Sequence, residues 1–177
     1  MTHPLAIMVL FFVVSAMTQS PGMVFRTPES FSELPHPIMS SLRKEGCQVP
    51  QGTIQGKVVA TNVISGYLAK KGQTDWAVLC SRRGSHYIRV FWGGVTKCPS
   101  RIDKGKDMSA EEVAQGLEFN RAIDTVDKEF IVRHHKAYGG PTPPPITHVG
   151  IAYEYLQKSS VVHYCHRGRW LELTGAD

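Results

Sequence analysis

From Asn62 to Trp92 apolar runs alternate with brief polar breaks, and each run is too short for a helix of ordinary length. Val63-Ile64-Ser65-Gly66-Tyr67-Leu68 is followed by Lys70-Lys71-Gly72-Gln73, where the glycine supplies the positive φ that a reversal needs. Trp76-Ala77-Val78-Leu79-Cys80 is apolar at every position, which predicts a central strand covered on both faces. Arg82-Arg83-Gly84-Ser85 predicts a second turn. Tyr87-Ile88-Arg89-Val90-Phe91-Trp92 then has the β-branched and aromatic content of a third strand, ended by Gly93-Gly94. A second hairpin is predicted from Ser160-Val161-Val162-His163-Tyr164-Cys165, a turn at His166-Arg167-Gly168-Arg169, and Trp170-Leu171-Glu172-Leu173. The stretch 54–60 reads equally as an edge strand or a loop.

Elsewhere the period lengthens. Ile38 and Leu42 ahead of Arg43-Lys44-Glu45-Gly46 predict a short helix closed by glycine. Ser109-Ala110-Glu111-Glu112 has the form of a capping box, with Val113 and Leu117 behind it. Between Asp127 and Tyr138, acids stand at the start, bases near the end and Gly139-Gly140 beyond, the order a helix dipole favours. Phe130, Ile131, His134 and Tyr138 give that helix a stripe to pack on a sheet. Residues 97–108 are polar and read as a loop. The segment 21–37, with Pro21, Pro28, Pro35 and Pro37, reads as an irregular arm. Pro141-Thr142-Pro143-Pro144-Pro145 must be extended; its PxxP spacing resembles a polyproline ligand, although a stiff connector is the commoner use. Together these elements predict one α+β domain over 38–177: a mostly antiparallel sheet, made of the central three-stranded meander and the C-terminal hairpin, with two or three short helices.

The first twenty residues hold no Lys, Arg, Asp or Glu, and Leu5 to Val14 is an unbroken apolar run. The run is too short to span a bilayer as a helix. It fits the apolar region of a signal peptide over 1–20, cleaved after Ala16 or after Ser20, although the start lacks the usual basic residue. Export to the periplasm or medium is therefore expected, with about 155 residues left to fold as one domain. The net charge of +5 comes from dispersed basic pairs such as Lys70-Lys71 and Arg82-Arg83, not from one stripe with interleaved aromatics, so no nucleic-acid partner is expected.

Cys47, Cys80, Cys98 and Cys165 form no C-x-x-C pair, which argues against a zinc ribbon or a thioredoxin-type site and for structural bridges in an oxidising compartment. Cys47 leaves a glycine-ended helix that needs a sheet for cover, and Cys80 stands on the strand expected beneath it. A Cys47–Cys80 disulfide follows, leaving Cys98 and Cys165 as a second pair or as two thiols.

The run Ile64-Ser65-Gly66-Tyr67 through Gly72-Gln73-Thr74-Asp75-Trp76-Ala77-Val78-Leu79 resembles half a blade of the FG-GAP or VCBS repeats. The calcium-loop positions of that family hold Ala69, Lys70, Lys71 and Gln73 here, which lack hard oxygen ligands, so neither calcium nor a propeller is implied. The runs GQTDWAVLC and VFW, with YGGPTPPPI and the ending HRGRWLELTGAD, resemble a group of exported bacterial proteins of unknown function. That resemblance implies export and a single domain, and no activity.

Candidate chemistry concentrates late in the chain, at His134, His135, His148, His163 and His166, which with Cys165 supply ligand types for a metal-assisted hydrolase. Their spacing matches no ligand motif, and ordinary surface or core histidines are the bland reading. No G-x-S-x-G elbow occurs, and Asp75 reads as a turn cap. Trp76, Trp92 and Trp170 are core candidates that would mark a binding face if exposed. The first functional expectation is thus a non-catalytic module, with no cofactor, that binds an envelope or extracellular macromolecule. The hydrolase is the alternative.

Overall fold

The computed structural model describes residues 22–177. The predicted signal peptide and both cleavage points lie outside the described residues. Strands β1 (Val24–Arg26), β2 (Val49–Ile54) and β3 (Lys57–Ala60) form a small sheet. Strands β4 (Val63–Gly66), β5 (Asp75–Arg82), β6 (Ser85–Phe91) and β7 (Arg101–Lys106) form a four-stranded meander. Strands β8 (Arg121–Val126), β9 (Gly150–Tyr155), β10 (Ser159–His166) and β11 (Arg169–Thr174) form another four-stranded sheet, in the order β11-β10-β9-β8. Helices α1 (His36–Glu45), α2 (Ala110–Ala114) and α3 (Lys128–Tyr138) complete the described chain, with a single 3-10 turn at Pro28–Ser30.

The expectation of an α+β domain around one main sheet is corrected by this architecture: 42% of the described residues are in strands and 19% in helices, and the strands divide among three antiparallel sheets. The predicted meander gains β7 from the polar stretch 97–108. The C-terminal hairpin is only the outer half of a sheet that β8 and β9 complete. Even the expected irregular arm holds β1, which pairs with β2.

Alternation along the strands explains the layering. Val78, Cys80 and Tyr87 face Leu42 of α1 and Val49 in one core cluster. Ala77, Leu79, Ile88 and Val90 face the opposite way and meet Phe119, Ile123 and Ile151 between the two large sheets. Val126, Ala152, Val162, Tyr164 and Leu173 then cover Ile131 of α3. The order is α1, meander, second sheet, α3. Central β5 is buried on both faces from Ala77 to Ser81, as its unbroken apolar run predicts.

Helix ends follow their local chemistry. Gly46 closes α1 at φ 70°, where a side chain would be strained. Ser109 and Glu112 make both bonds of the capping box, and the Asp127 carboxylate accepts the Phe130 amide at the start of α3. Two disulfides brace the layers: Cys47–Cys80 ties the exit of α1 to β5, and Cys98–Cys165 ties the chain after the third meander strand to β10.

Candidate functional site

A cleft of about 710 Å³ opens where the small sheet, the loop after β7 and the edge of the second sheet meet. Its charged lining is Lys106, Asp107, Glu112, Glu118, Arg121 and Lys158, with Tyr155 as its aromatic wall. Two of the strands involved, β7 and β8, begin or end there, so the residues are set by sheet edges and not by a sequence motif.

The acids and bases of this lining differ in one respect. Every acid is already engaged: Asp107 accepts from Ser81 and His86, Glu112 accepts the Ser109 amide in the capping box, and Glu118 accepts the Gly56 amide. The bases are not, because among the described residues Lys106, Arg121 and Lys158 form no ion pair with a carboxylate. The Arg121 guanidinium carbon stands over the Tyr155 ring, 3.5 Å from its centroid, with one guanidinium nitrogen donating to Asn120 Oδ1 at 2.7 Å. The Arg121 side chain, assisted by Asn120, holds the Tyr155 phenol below its ordinary range. The Lys158 ammonium stands 4.6 Å from the centroid of the same ring. Stacking on an aromatic face orients a guanidinium while leaving its in-plane donors free.

Arg121 is placed by Asn62, at the left-handed entry to β4, with φ 62°. Its buried amide donates to Pro50 O at 2.7 Å and to Arg121 O at 3.1 Å, and its oxygen accepts the Ile123 amide at 2.9 Å. One side chain thus pins the small sheet, the meander and β8 together.

Deeper between the sheets lies a polar chain. His86 is bonded through Nδ1 to Asp107 Oδ1 at 3.2 Å and through Nε2 to the Tyr153 hydroxyl at 2.8 Å. Burial lowers the basicity of His86, Asp107 opposing it, and burial raises the phenol of Tyr153, with Arg121 opposing. The Lys104 ammonium sits 4.4 Å from the centroid of the Tyr153 ring and 2.8 Å from His163 Nε2, and burial lowers its basicity as well.

The five histidines singled out from the sequence go elsewhere. His134 and His135 lie on α3, with their Nδ1 atoms near the carbonyls of Phe130 and Gly139. His148 stacks on Tyr164 at 4.2 Å, and both its ring nitrogens face carbonyl oxygens, of Val149 and Cys165. His163 is 1% exposed, between the sheets beside Lys104, and His166 is on the other face of β10, 6.4 Å from Tyr164 by ring centroids. Among the described residues no three His, Cys, Asp or Glu side chains stand close enough to hold one metal ion. Trp92 and Trp170 stack on each other at 5.6 Å, and both are partly buried beside the core between the large sheets.

The cleft residues carry no motif in the sequence. The available signal is the spacing of Tyr153 and Tyr155 two apart, which puts both on the face of β9 that carries Ile151. No protein-family model, curated protein or solved structure matches the chain.

Proposed function

We propose that the protein is exported and acts as a binding module for an anionic macromolecule of the envelope or extracellular space, seated in the cleft around Arg121. The observation that carries this reading is the asymmetry of the lining: three basic side chains without carboxylate partners beside three acids already bonded within the protein. An anion entering the cleft meets free donors and displaces no internal ion pair, which avoids the penalty of leaving a buried charge unpaired. Two disulfides, and no helix among the described residues long and apolar enough to cross a membrane, fit a periplasmic or secreted location.

Calorimetric titration of the folded, oxidised protein with a polyuronate, against neutral dextran as control, tests the reading. Binding should be confined to the charged polymer, weaken with salt, and fall about tenfold or more in Arg121→Gln, the loss of one charge-assisted contact. Equal binding of dextran, or full affinity in Arg121→Gln, would overturn it.

A further inference from the structure

One wall of the cleft is tied to the rest of the protein only at its two ends. At the first, the Asp107 amide donates to Gly84 O at 2.9 Å, the Asp107 carboxylate holds Ser81 and His86, and Met108 packs beside the core between the large sheets. At the second, Glu118 accepts the Gly56 amide, and the carbonyl of the buried Phe119 accepts the Thr53 amide at 2.9 Å. Between these anchors, among the described residues, 109–117 forms hydrogen bonds only within itself: Ser109 with Glu112 and Val113, Glu111 with Gln115, Val113 with Gly116, and Glu112 with Leu117. Helix α2 buries no residue, and Leu117 is left exposed. A segment with so few buried contacts and only local bonds opens at low cost in free energy. Short surface helices are ordinarily connectors. This one is set apart by its charge, because 108–118 holds Glu111, Glu112 and Glu118 and no Lys or Arg, and it borders a lining where Lys106, Arg121 and Lys158 have no carboxylate partner.

We propose that α2 is a hinged acidic flap, in which Glu112 stands in for the ligand's charge beside Arg121 and is displaced when an anionic polymer binds. This rests on the anion-binding reading above and adds the regulation of that site. Of the two acids on α2, Glu112 lines the cleft and Glu111 does not. The Glu112 carboxylate is bonded to the Ser109 amide, inside the flap, so its charge travels with the flap and no ion pair has to break. The bonds to Ser109, and after them the charge of Arg121, hold the Glu112 carboxyl below its ordinary range, so the two charges act on one another within the cleft. In the free protein that attraction keeps the flap against the cleft. A ligand carboxylate at Arg121 cancels the attraction and repels Glu112, and a flap with no buried side chain then swings about its anchors at Asp107 and Glu118. The cleft consequently favours a polymer over a single anion, because further carboxylates at Lys106 and Lys158 offset the attraction that is lost.

Glu112→Gln tests this with the helix start intact, because glutamine at the third helical position also completes a capping box. Glu111→Gln removes the same charge from the same helix outside the cleft lining and is the control. In calorimetric titration of the folded, oxidised protein with polygalacturonate, Glu112→Gln should bind about threefold more tightly than wild type, the scale of one solvent-screened charge pair. Glu111→Gln should stay within about 1.5-fold of wild type, its charge being screened from the cleft. Amide hydrogen exchange supplies a second readout: saturating polymer should speed exchange at 113–117 and leave β8 unchanged. Without polymer, Glu112→Gln should speed the same flap amides, a result that needs no ligand. Binding of Glu112→Gln no tighter than that of Glu111→Gln, or slower flap exchange in the complex, would overturn the flap and leave the binding module standing. Unaltered flap exchange in ligand-free Glu112→Gln would likewise overturn the flap alone, whereas absence of polygalacturonate binding by wild type would overturn the anion-binding reading on which it rests.

Discussion

The side-chain amide of Asn62 donates to the main-chain carbonyl of Arg121, and its oxygen accepts the amide of Ile123. The cleft's central cation is therefore held from behind by a residue that never touches the cleft. Asn62→Gly keeps the left-handed backbone and removes only the side chain. It should cost about 2 to 3 kcal/mol in urea unfolding, because buried main-chain groups of Pro50, Arg121 and Ile123 lose partners, and should weaken polyuronate binding. Unchanged stability would show that water replaces these bonds.

Asp75 is 0% exposed, and its carboxylate accepts four donors: the amides of Leu68, Ala69 and Gly93 and the side chain of Gln73. It clamps both ends of the meander's first turn to the exit of β6. Asp75→Asn puts an NH2 against at least one of the Leu68, Ala69 and Gly93 amides, which can only donate, so it should cost about 3 kcal/mol or more. Gly93→Ala should be worse tolerated, since a Cβ there would lie 2.1 Å from the Thr74 carbonyl oxygen. Thermal melts of both variants check this; a wild-type melting point for Gly93→Ala would show that the strand end shifts freely.

The two disulfides join residues 33 and 67 apart in the chain. Replacing Cys47 and Cys80 together by serine should cost about 3.5 kcal/mol, and replacing Cys98 and Cys165 about 4.5 kcal/mol, on loop-closure entropy. Denaturant titration without reductant measures both. A larger loss from the shorter pair would mean that packing of α1, and not chain entropy, dominates.

His163 makes stability pH-dependent. Burial, reinforced by Lys104, brings its pKa from 6.5 to about 3. Between those values the unfolded chain binds a proton that the folded chain refuses, so this stabilisation is complete above pH 6.5 and is lost as pH falls toward 3. Burial of His86 acts in the same direction. Unfolding free energy should drop by about 2 kcal/mol from pH 7 to pH 5 through His163, and His163→Gln should flatten that slope. A slope that does not change on substitution would place a water or counter-ion at the ring.

The apolar runs of β5 and β6 announce their strands because both faces of those strands meet a core. Strand β7 is hidden by its own chemistry. Its inward positions are Ile102 and Lys104, and the lysine extends its chain to Tyr153 and His163, so alternation is masked by a charge. Missing β7, together with β8 and β9, turns two facing sheets into one. The cleft was illegible for a further reason: Lys106, Arg121 and Tyr155 come from three strands, and their meeting depends on where sheet edges align. The five histidines that stand out in the sequence are scattered by the packing, whereas His86, which falls between the predicted turn and the predicted strand and carries no predicted role, belongs to the polar chain.

The two covalent rings, 47–80 and 98–165, lie in series along the chain without overlapping, and no cysteine is left over. Residues 81–97 are consequently the sole covalent seam between them, and Arg82 and Arg83 sit exposed on that seam at the β5–β6 turn. A protease nick within either ring releases no ring fragment until the bridge is reduced, whereas a nick at Arg83 divides the denatured, oxidised chain into two looped halves. The native protein would hold those halves together through β5–β6 pairing, the core between the two large sheets and the Asn62 bonds to β8, as a two-piece molecule.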